Sequence, residues 1–130
     1  MHPKGMENQL VGGAVWGIGL SGYERHLYDP QNGMPASTGY WQSKVPTYLD
    51  TPVKIETGWV DLPDPENPVG ARGVGEPAQG SVSAALTAAI TDALDGHIFG
   101  ASPITADMII NYVAGTSEDS VPLAQNNFRG

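Results

Sequence analysis

Glycine and apolar residues fill positions 7–22 (ENQLVGGAVWGIGLSG), and their spacing predicts a helix whose glycines 12, 13, 17, 19 and 22 let another backbone approach closely. Each interior glycine costs about 1 kcal/mol of helix propensity, so such a helix survives only by burial against a neighbour. Residues 23–28 then read as a strand, residues 29–33 (DPQNG) as a turn, and residues 34–41 as irregular or extended chain. Residues 40–50 (YWQSKVPTYLD) read as an extended, aromatic-bearing segment interrupted by Pro46. The first half of residues 53–60 (VKIETGWV) alternates apolar and polar positions, the pattern of a half-buried strand. Residues 61–68 (DLPDPENP) form a proline- and acid-rich surface loop.

From Pro77 the period changes. Val82, Ala85, Leu86, Ala89, Ile90, Ala93 and Leu94 fall on one face of a long helix, and Asp95-Gly96 supplies its stop. Pro103-Ile104-Thr105 opens a shorter helix with Thr105 as N-cap and Met108, Ile109, Tyr112 and Val113 on its buried side. Residues 115–130 are polar and read as a flexible tail.

Between the acidic loop and the long helix runs Gly70-Ala71-Arg72-Gly73-Val74-Gly75-Glu76-Pro77. Its glycines allow positive φ and a close approach of backbone to a ligand, and Pro77 fits the first helical turn, where its missing N–H costs nothing. Successive free N–H groups there can cradle an anion. Two readings of Glu76 follow: a carboxylate complementing the helix dipole, or a buried acid or base held beside a bound cofactor.

At 130 residues the chain is one domain or part of one. Its 17 glycines and 11 prolines, set against 40% hydrophobic residues, describe a loop-rich but packed chain rather than a disordered one. The formal net charge of −8, with its six bases scattered, argues against nucleic acid or an anionic membrane as partner. Residues 10–20, the longest apolar stretch, are too short and too glycine-rich for a membrane span. There is no cysteine, so any iron–sulfur cluster belongs to another polypeptide. Residues 1–5 read as a turn with no apolar leader after them, and the expected compartment is the cytoplasm. His2, His26 and His97 have no ligand spacing, and no residue of this chain is expected to ligate metal. Trp16, Trp41 and Trp59 fit core or interface packing better than an aromatic channel, and Asp64 and Glu66 read as a solvated face.

Five segments, in order, resemble the C-terminal part of the molybdopterin-binding catalytic subunit of the xanthine dehydrogenase/aldehyde oxidase family, the molybdenum hydroxylases. They are Pro3 and Gln9 with Gly12-Gly13; Gly17-Ile18-Gly19 with Glu24; Tyr40 and Lys44-Val45-Pro46 with Asp50-Thr51-Pro52; Gly70 to Pro77; and Pro103-Ile104-Thr105 before a final helix. The resemblance spans residues 2–114. It implies that Glu76 is the active-site base beside molybdenum, and that Val74 and Gly75 lie where the backbone nears the metal and its dithiolene, so that Gly75 tolerates no side chain. It also implies that Gln9 lies near the pterin; the residue-level alternative is a helix-start glutamine bonded to nearby backbone. Arg72 falls where the family has a basic residue, with a direct role and a loop-bracing salt bridge both open.

The resemblance implies an α+β fold in which residues 1–114 form the C-terminal portion of the molybdopterin-binding domain, helices packed on a small mixed sheet, followed by the 115–130 tail. It implies oxidative hydroxylation of an aldehyde or N-heterocycle with water as oxygen source, molybdopterin shared with segments outside this chain, and 2Fe-2S and FAD on partner subunits. A different class also accommodates the sequence: a non-catalytic assembly or interaction module that keeps the fold. Family subunits are several times longer, so the lone chain is expected to lack cofactor and to self-associate through exposed apolar surface.

Overall fold

In the computed structural model, which describes residues 2–29 and 31–116, the first helix starts earlier than the glycine-rich stretch. Helix α1 spans Pro3–Gly22. Pro3 sits at its first position, and the His2 imidazole caps it, Nδ1 accepting from the N–H of Gly5 at 2.8 Å. The expected opening turn is thus the first turn of α1. A four-residue helix α2, Tyr40–Ser43, and a 3-10 turn, Tyr48–Asp50, precede the long helix α3, Pro77–Ala93, and the final helix α4, Ala106–Val113.

The dominant packing is α1 on α3. A Cβ on Gly13 would lie 3.0 Å from the Cβ of Ala78, and one on Gly17 would lie 2.6 Å from the Gln79 carbonyl and 2.9 Å from the Val82 Cβ. Two hydroxyls, Ser21 Oγ at 2.7 Å and Ser83 Oγ at 3.1 Å, donate to the Gly17 carbonyl. Gly12 and Gly22 face open space, whereas Gly19 meets the Glu24 carboxylate and the Pro46 ring. Of the five glycines expected to let another backbone approach, Gly13 and Gly17 do, and Gly19 makes room for side chains instead.

The same contact selects the face of α3. Ala78, Val82, Leu86 and Ile90, with Gln79, Ser83, Thr87 and Thr91 beside them, are half-buried, and Ala85, Ala89 and Ala93 are exposed. Two i, i+4 rows face α1, the ridge pattern of closely packed helices. The face of α3 that meets Gly13 and Gly17 is set by Ala78, Gln79, Val82 and Ser83, and continuing its rows leaves Ala85, Ala89 and Ala93 outside it.

The mixed sheet expected from the sequence is absent among the described residues, and the architecture there is helical, with one isolated antiparallel bridge, Tyr28 to Pro35. That pairing stops for local reasons. The Ala36 N–H reaches the Leu27 carbonyl at 2.7 Å, but Pro35 has no N–H to give and the Leu27 N–H goes to Ser37 Oγ at 3.1 Å. Residues 53–60 form no helix or strand and make no backbone ladder, and Val53 and Val60 stand in solvent. Alternation encodes an extended, two-faced chain; a sheet also needs a partner edge.

The expected turn at 29–33 is present, with Gly33 at φ 71° and the Asp29 and Asn32 side chains bonded to the backbone of Gln31 and Met34. Residues 40–50, expected to be extended, instead carry the two short helical turns. Lys44 ends α2 in the left-handed region, φ 62°, and the Asp50 carboxylate takes both the N–H and the hydroxyl of Thr47 at 2.7 Å. Those bonds hold the Asp50 carboxyl below the usual carboxylate range.

Asp95 and Gly96, both at positive φ, close α3 as expected, with the Gly96 N–H on the Thr91 carbonyl. The chain then ties back to α1 through the Ile104 N–H and the Ser21 carbonyl at 2.7 Å, just past a cis Ser102–Pro103 peptide. Thr105 is the N-cap of α4, although its side chain makes no capping bond; Met108, Ile109 and Tyr112 are half-buried as expected, and Val113 is exposed. His97 stacks on Tyr112 at 3.8 Å between ring centroids and meets Phe99 edge-on. Residues 117–130, most of the expected tail, lie outside the described residues.

Among the described residues the buried apolar side chains are few, namely Ala14, Phe99 and Ile104, while Tyr48, Leu49 and Val53 are at least 92% exposed. The isolated chain is therefore expected to self-associate; a monodisperse monomer by light scattering, with no binding of an apolar dye, contradicts this. At the helix contact, Gly17→Ala is expected to lower stability by about 1–3 kcal/mol through overpacking. Gly12→Ala, facing open space, is expected to raise it by up to about 1 kcal/mol through helix propensity. Thermal unfolding of the two variants side by side checks both signs.

Candidate active site

Matching contacts run in the same direction along both helices: Gly13 faces Ala78 and Gln79, and Gly17 faces Gln79 to Ser83. The start of α3 therefore lies beside the middle of α1, with Gln9 one turn before Gly13 and Glu76 immediately before Pro77. The contact that sets the helix spacing also brings the two sequence-distant site segments together.

The chain reaches α3 through a loop that bonds mostly to itself. The Asp64 N–H donates to the Gly70 carbonyl at 3.0 Å, the Gly70 N–H to the Asn67 carbonyl at 2.8 Å, and Asn67 Nδ2 to the Ala71 carbonyl at 2.8 Å. Gly70 holds φ 67°, and a Cβ there would come within 3.3 Å of the Pro63 Cβ. In this turn Gly70 alone takes the positive φ that the glycine spacing suggested; Gly73 and Gly75 do not, and a Cβ on either meets nothing within 4 Å.

Arg72 braces the loop. Its Nε donates to Asp64 Oδ2 at 2.7 Å, and Asp64 Oδ1 accepts the N–H of Glu66 at 3.0 Å. The Asp64 side chain is 14% exposed and Arg72 78%, so Asp64 is a structural partner rather than part of a solvated face. The Arg72 guanidinium, and then the Glu66 N–H, hold the Asp64 carboxyl below the usual carboxylate range. A depressed carboxyl of this kind favours the closed loop above the ordinary carboxylate range and ceases to do so as pH falls through its lowered value.

Gln9, Gly73 and Val74 line one cavity of about 620 Å³, with Arg72 and Gly70 on the same wall and Met6, Trp59 and Leu62 completing it. Of the residues expected at the site, Gln9 and Val74 therefore share a cavity, and Gly75 and Glu76 continue directly from its wall into α3. Gln9, Gly75 and Glu76 are exposed and Val74 is half-buried. Glu76 occupies the N-cap position, φ −114° and ψ 2°, but its side chain makes no capping hydrogen bond. The expectation of a buried acid is not met within this chain. The N–H groups of residues 71–76 have no acceptor among the described residues.

Sequence reasoning missed Asp64 and Asn67 as braces and Met6 and Trp59 as cavity wall. The D-x-x-N-x-x-G spacing ahead of the turn was the available signal for the first pair, since Asp and Asn side chains bond backbone two residues on. Met6 and Trp59 carried no local signal, because only the packing of α1 against residues 59–62 brings them together.

Residues 1–52 match the model of the molybdopterin cofactor-binding domain. The chain is 32% identical over 119 residues, 91% of its length, to the 6-hydroxypseudooxynicotine dehydrogenase complex subunit gamma of Paenarthrobacter nicotinovorans. It is 31% identical over 112 residues, 85% of its length, to the aldehyde oxidoreductase molybdenum-binding subunit PaoC of Escherichia coli, and 30% identical over 90 residues, 69% of its length, to the xanthine dehydrogenase molybdenum-binding subunit of Escherichia coli O157:H7. These matches cover 15%, 15% and 12% of the three relatives. The 130-residue chain thus spans a small part of the length of proteins whose names place them in dehydrogenase and oxidoreductase assemblies. With residues 1–52 matching the cofactor-binding domain and similarity running over nearly all the rest, the chain belongs to the xanthine dehydrogenase/aldehyde oxidase family of molybdopterin-binding subunits.

Proposed function

We propose that this chain contributes the base, Glu76, and one wall of the molybdopterin pocket to a molybdenum hydroxylase that oxidises an aldehyde or an N-heterocycle with water as the oxygen source. The observation carrying the reading is the shared cavity of Gln9 and Val74, which continues into the turn that presents Glu76. The residues present fit one side of such a group. Gln9 offers an amide that both donates and accepts, residues 71–75 offer unengaged N–H groups, and the missing side chains of Gly73 and Gly75 leave open space beside them.

When bound, molybdopterin with its metal supplies the acceptor for the two electrons removed from the substrate C–H. Gln9 and the backbone of residues 73–75 hold and orient it. Glu76 takes a proton at a carboxylate oxygen from the water-derived oxygen that enters the product. At the N-cap its side chain makes no capping bond, which leaves the carboxylate free to accept that proton. The rest of the pocket comes from molybdenum-binding sequence outside these 130 residues, and 2Fe-2S and FAD subunits carry the electrons onward. The names of the relatives, which specify nicotine-derived, xanthine and aldehyde oxidations, support this substrate range.

Glu76→Gln keeps shape and removes basicity. In the assembled enzyme the reductive half-reaction is expected to slow by at least ~10²-fold, with molybdenum content and thermal stability nearly unchanged. Intact turnover with stability lower by about 0.5–1 kcal/mol assigns Glu76 to the helix end alone and leaves the chain an assembly module. Gly75→Val tests the wall. A Cβ at Gly75 meets nothing within 4 Å among the described residues, so the expected loss of molybdenum, with helix content preserved, is assigned to what occupies that space in the assembled enzyme. Full metal occupancy in that variant removes Gly75 from the pocket.

A further inference from the structure

Residues 73–76 are tied at their two ends and nowhere between. On one side stands the bonded loop at Asp64, Asn67, Gly70, Ala71 and Arg72; on the other, α3 begins at Pro77. Among the described residues, the hydrogen bond inside this stretch is the Gln79 N–H to the Glu76 carbonyl, which belongs to the helix start. The α3 end is fixed by packing against Gly13 and Gly17. The loop end is fixed by a single side-chain pair, Arg72 Nε to Asp64 Oδ2, backed by Asn67 on the Ala71 carbonyl.

We propose that the Asp64–Arg72 ion pair is a positioning clamp: it holds the Gly73–Glu76 turn against the Gln9 cavity and so fixes where the Glu76 carboxylate is presented. This rests on the reading of Glu76 as the base. Asp64 is suited to the role because both its oxygens are used, Oδ1 by the Glu66 N–H and Oδ2 by Arg72, so its rotamer is fixed from two directions. Arg72 is suited because a planar guanidinium bonds a carboxylate with directional N–H groups, which an ammonium on a flexible stem does less well. Ion pairs with an exposed member add little to global stability. The clamp therefore acts on the placement of four residues and not on the fold, and Asp64 and Arg72 are positioning residues that leave the proton transfer to Glu76.

The test uses the assembled molybdenum enzyme with Asp64→Ala, Arg72→Ala, Arg72→Lys and the exchanged pair Asp64→Arg/Arg72→Asp. Each alanine variant is expected to lower kcat by about 10- to 100-fold with KM nearly unchanged and molybdenum retained, because a small misplacement of a reacting group is costly. In the same variants, amide hydrogen exchange at residues 64 and 70, whose N–H groups close the loop on the Gly70 and Asn67 carbonyls, is expected to rise at least ~10-fold while α1 and α3 stay protected. Arg72→Lys and the exchanged pair are expected to recover part of both losses. Unchanged exchange at residues 64 and 70 in both alanine variants overturns the clamp. So does molybdenum loss in Arg72→Ala alone, which makes Arg72 a direct contact to the bound group. If Glu76→Gln retains turnover, the base reading fails by itself, and the exchange measurement still decides whether the pair holds the turn.

Discussion

The separation of α1 and α3 at Gly17 governs most of what this chain can do. With no side chain at 17, the Gln79 carbonyl and the Val82 Cβ come closer than any Cβ would permit, and the Ser83 hydroxyl bonds the Gly17 carbonyl directly. A hydroxyl-to-carbonyl bond between helices adds only about 1 kcal/mol net, but it fixes register where close-packed small residues alone would allow sliding. Shifting α3 by one turn would carry its N-terminus about 5.4 Å along α1 and away from Gln9. The glycines of α1, costly in a solvated helix, are thus what permits the start of α3, and the turn that leads into it, to lie beside the helix that carries Gln9.

Beside this rigid contact stands a second device of a different kind. The loop of residues 61–72 buries little and is held by hydrogen bonds among its own groups, with Asp64 accepting from the Glu66 N–H, and Asn67 accepting from the Val69 N–H and donating to the Ala71 carbonyl. Packing fixes the helix; local polar bonds fix the approach to it. The two differ in their sensitivities, since packing responds to side-chain volume and the loop to the charge state of Asp64.

How far the chain could be read without its structure follows from the same distinction. Helices α3 and α4, the Asp95-Gly96 stop, Thr105 at a helix start and the close approach at Gly13 and Gly17 were legible because each depends on nearby residue types. The mixed sheet was not: residues 53–60 carry the alternation of a strand, but whether a second edge pairs with them is a non-local fact. At residues 40–50 the Thr47–Asp50 capping box overrode an extended reading built on aromatics and Pro46. The exposure of Ala85, Ala89 and Ala93 was hidden because alanine marks a helix without marking its buried side. Of the site residues, Gln9 and Val74 line one cavity, and the Arg72 brace was one of the two alternatives open at the sequence level. The partner of that brace, Asp64, was lost among the acids of a loop that looked merely solvated.

The exposure of Glu76 separates two requirements that an active-site base must meet. It needs a fixed position and a dry surrounding, since a carboxylate in water is neither oriented nor raised in basicity. Under the proposed function this chain meets the first through α3, the turn and the loop, while Glu76 remains exposed here. The second is then left to the segments that complete the pocket, which would cover Glu76 as they pack against the turn. On that reading, completion of the pocket and activation of the base become one event: this chain supplies the position, and its surroundings supply the low dielectric.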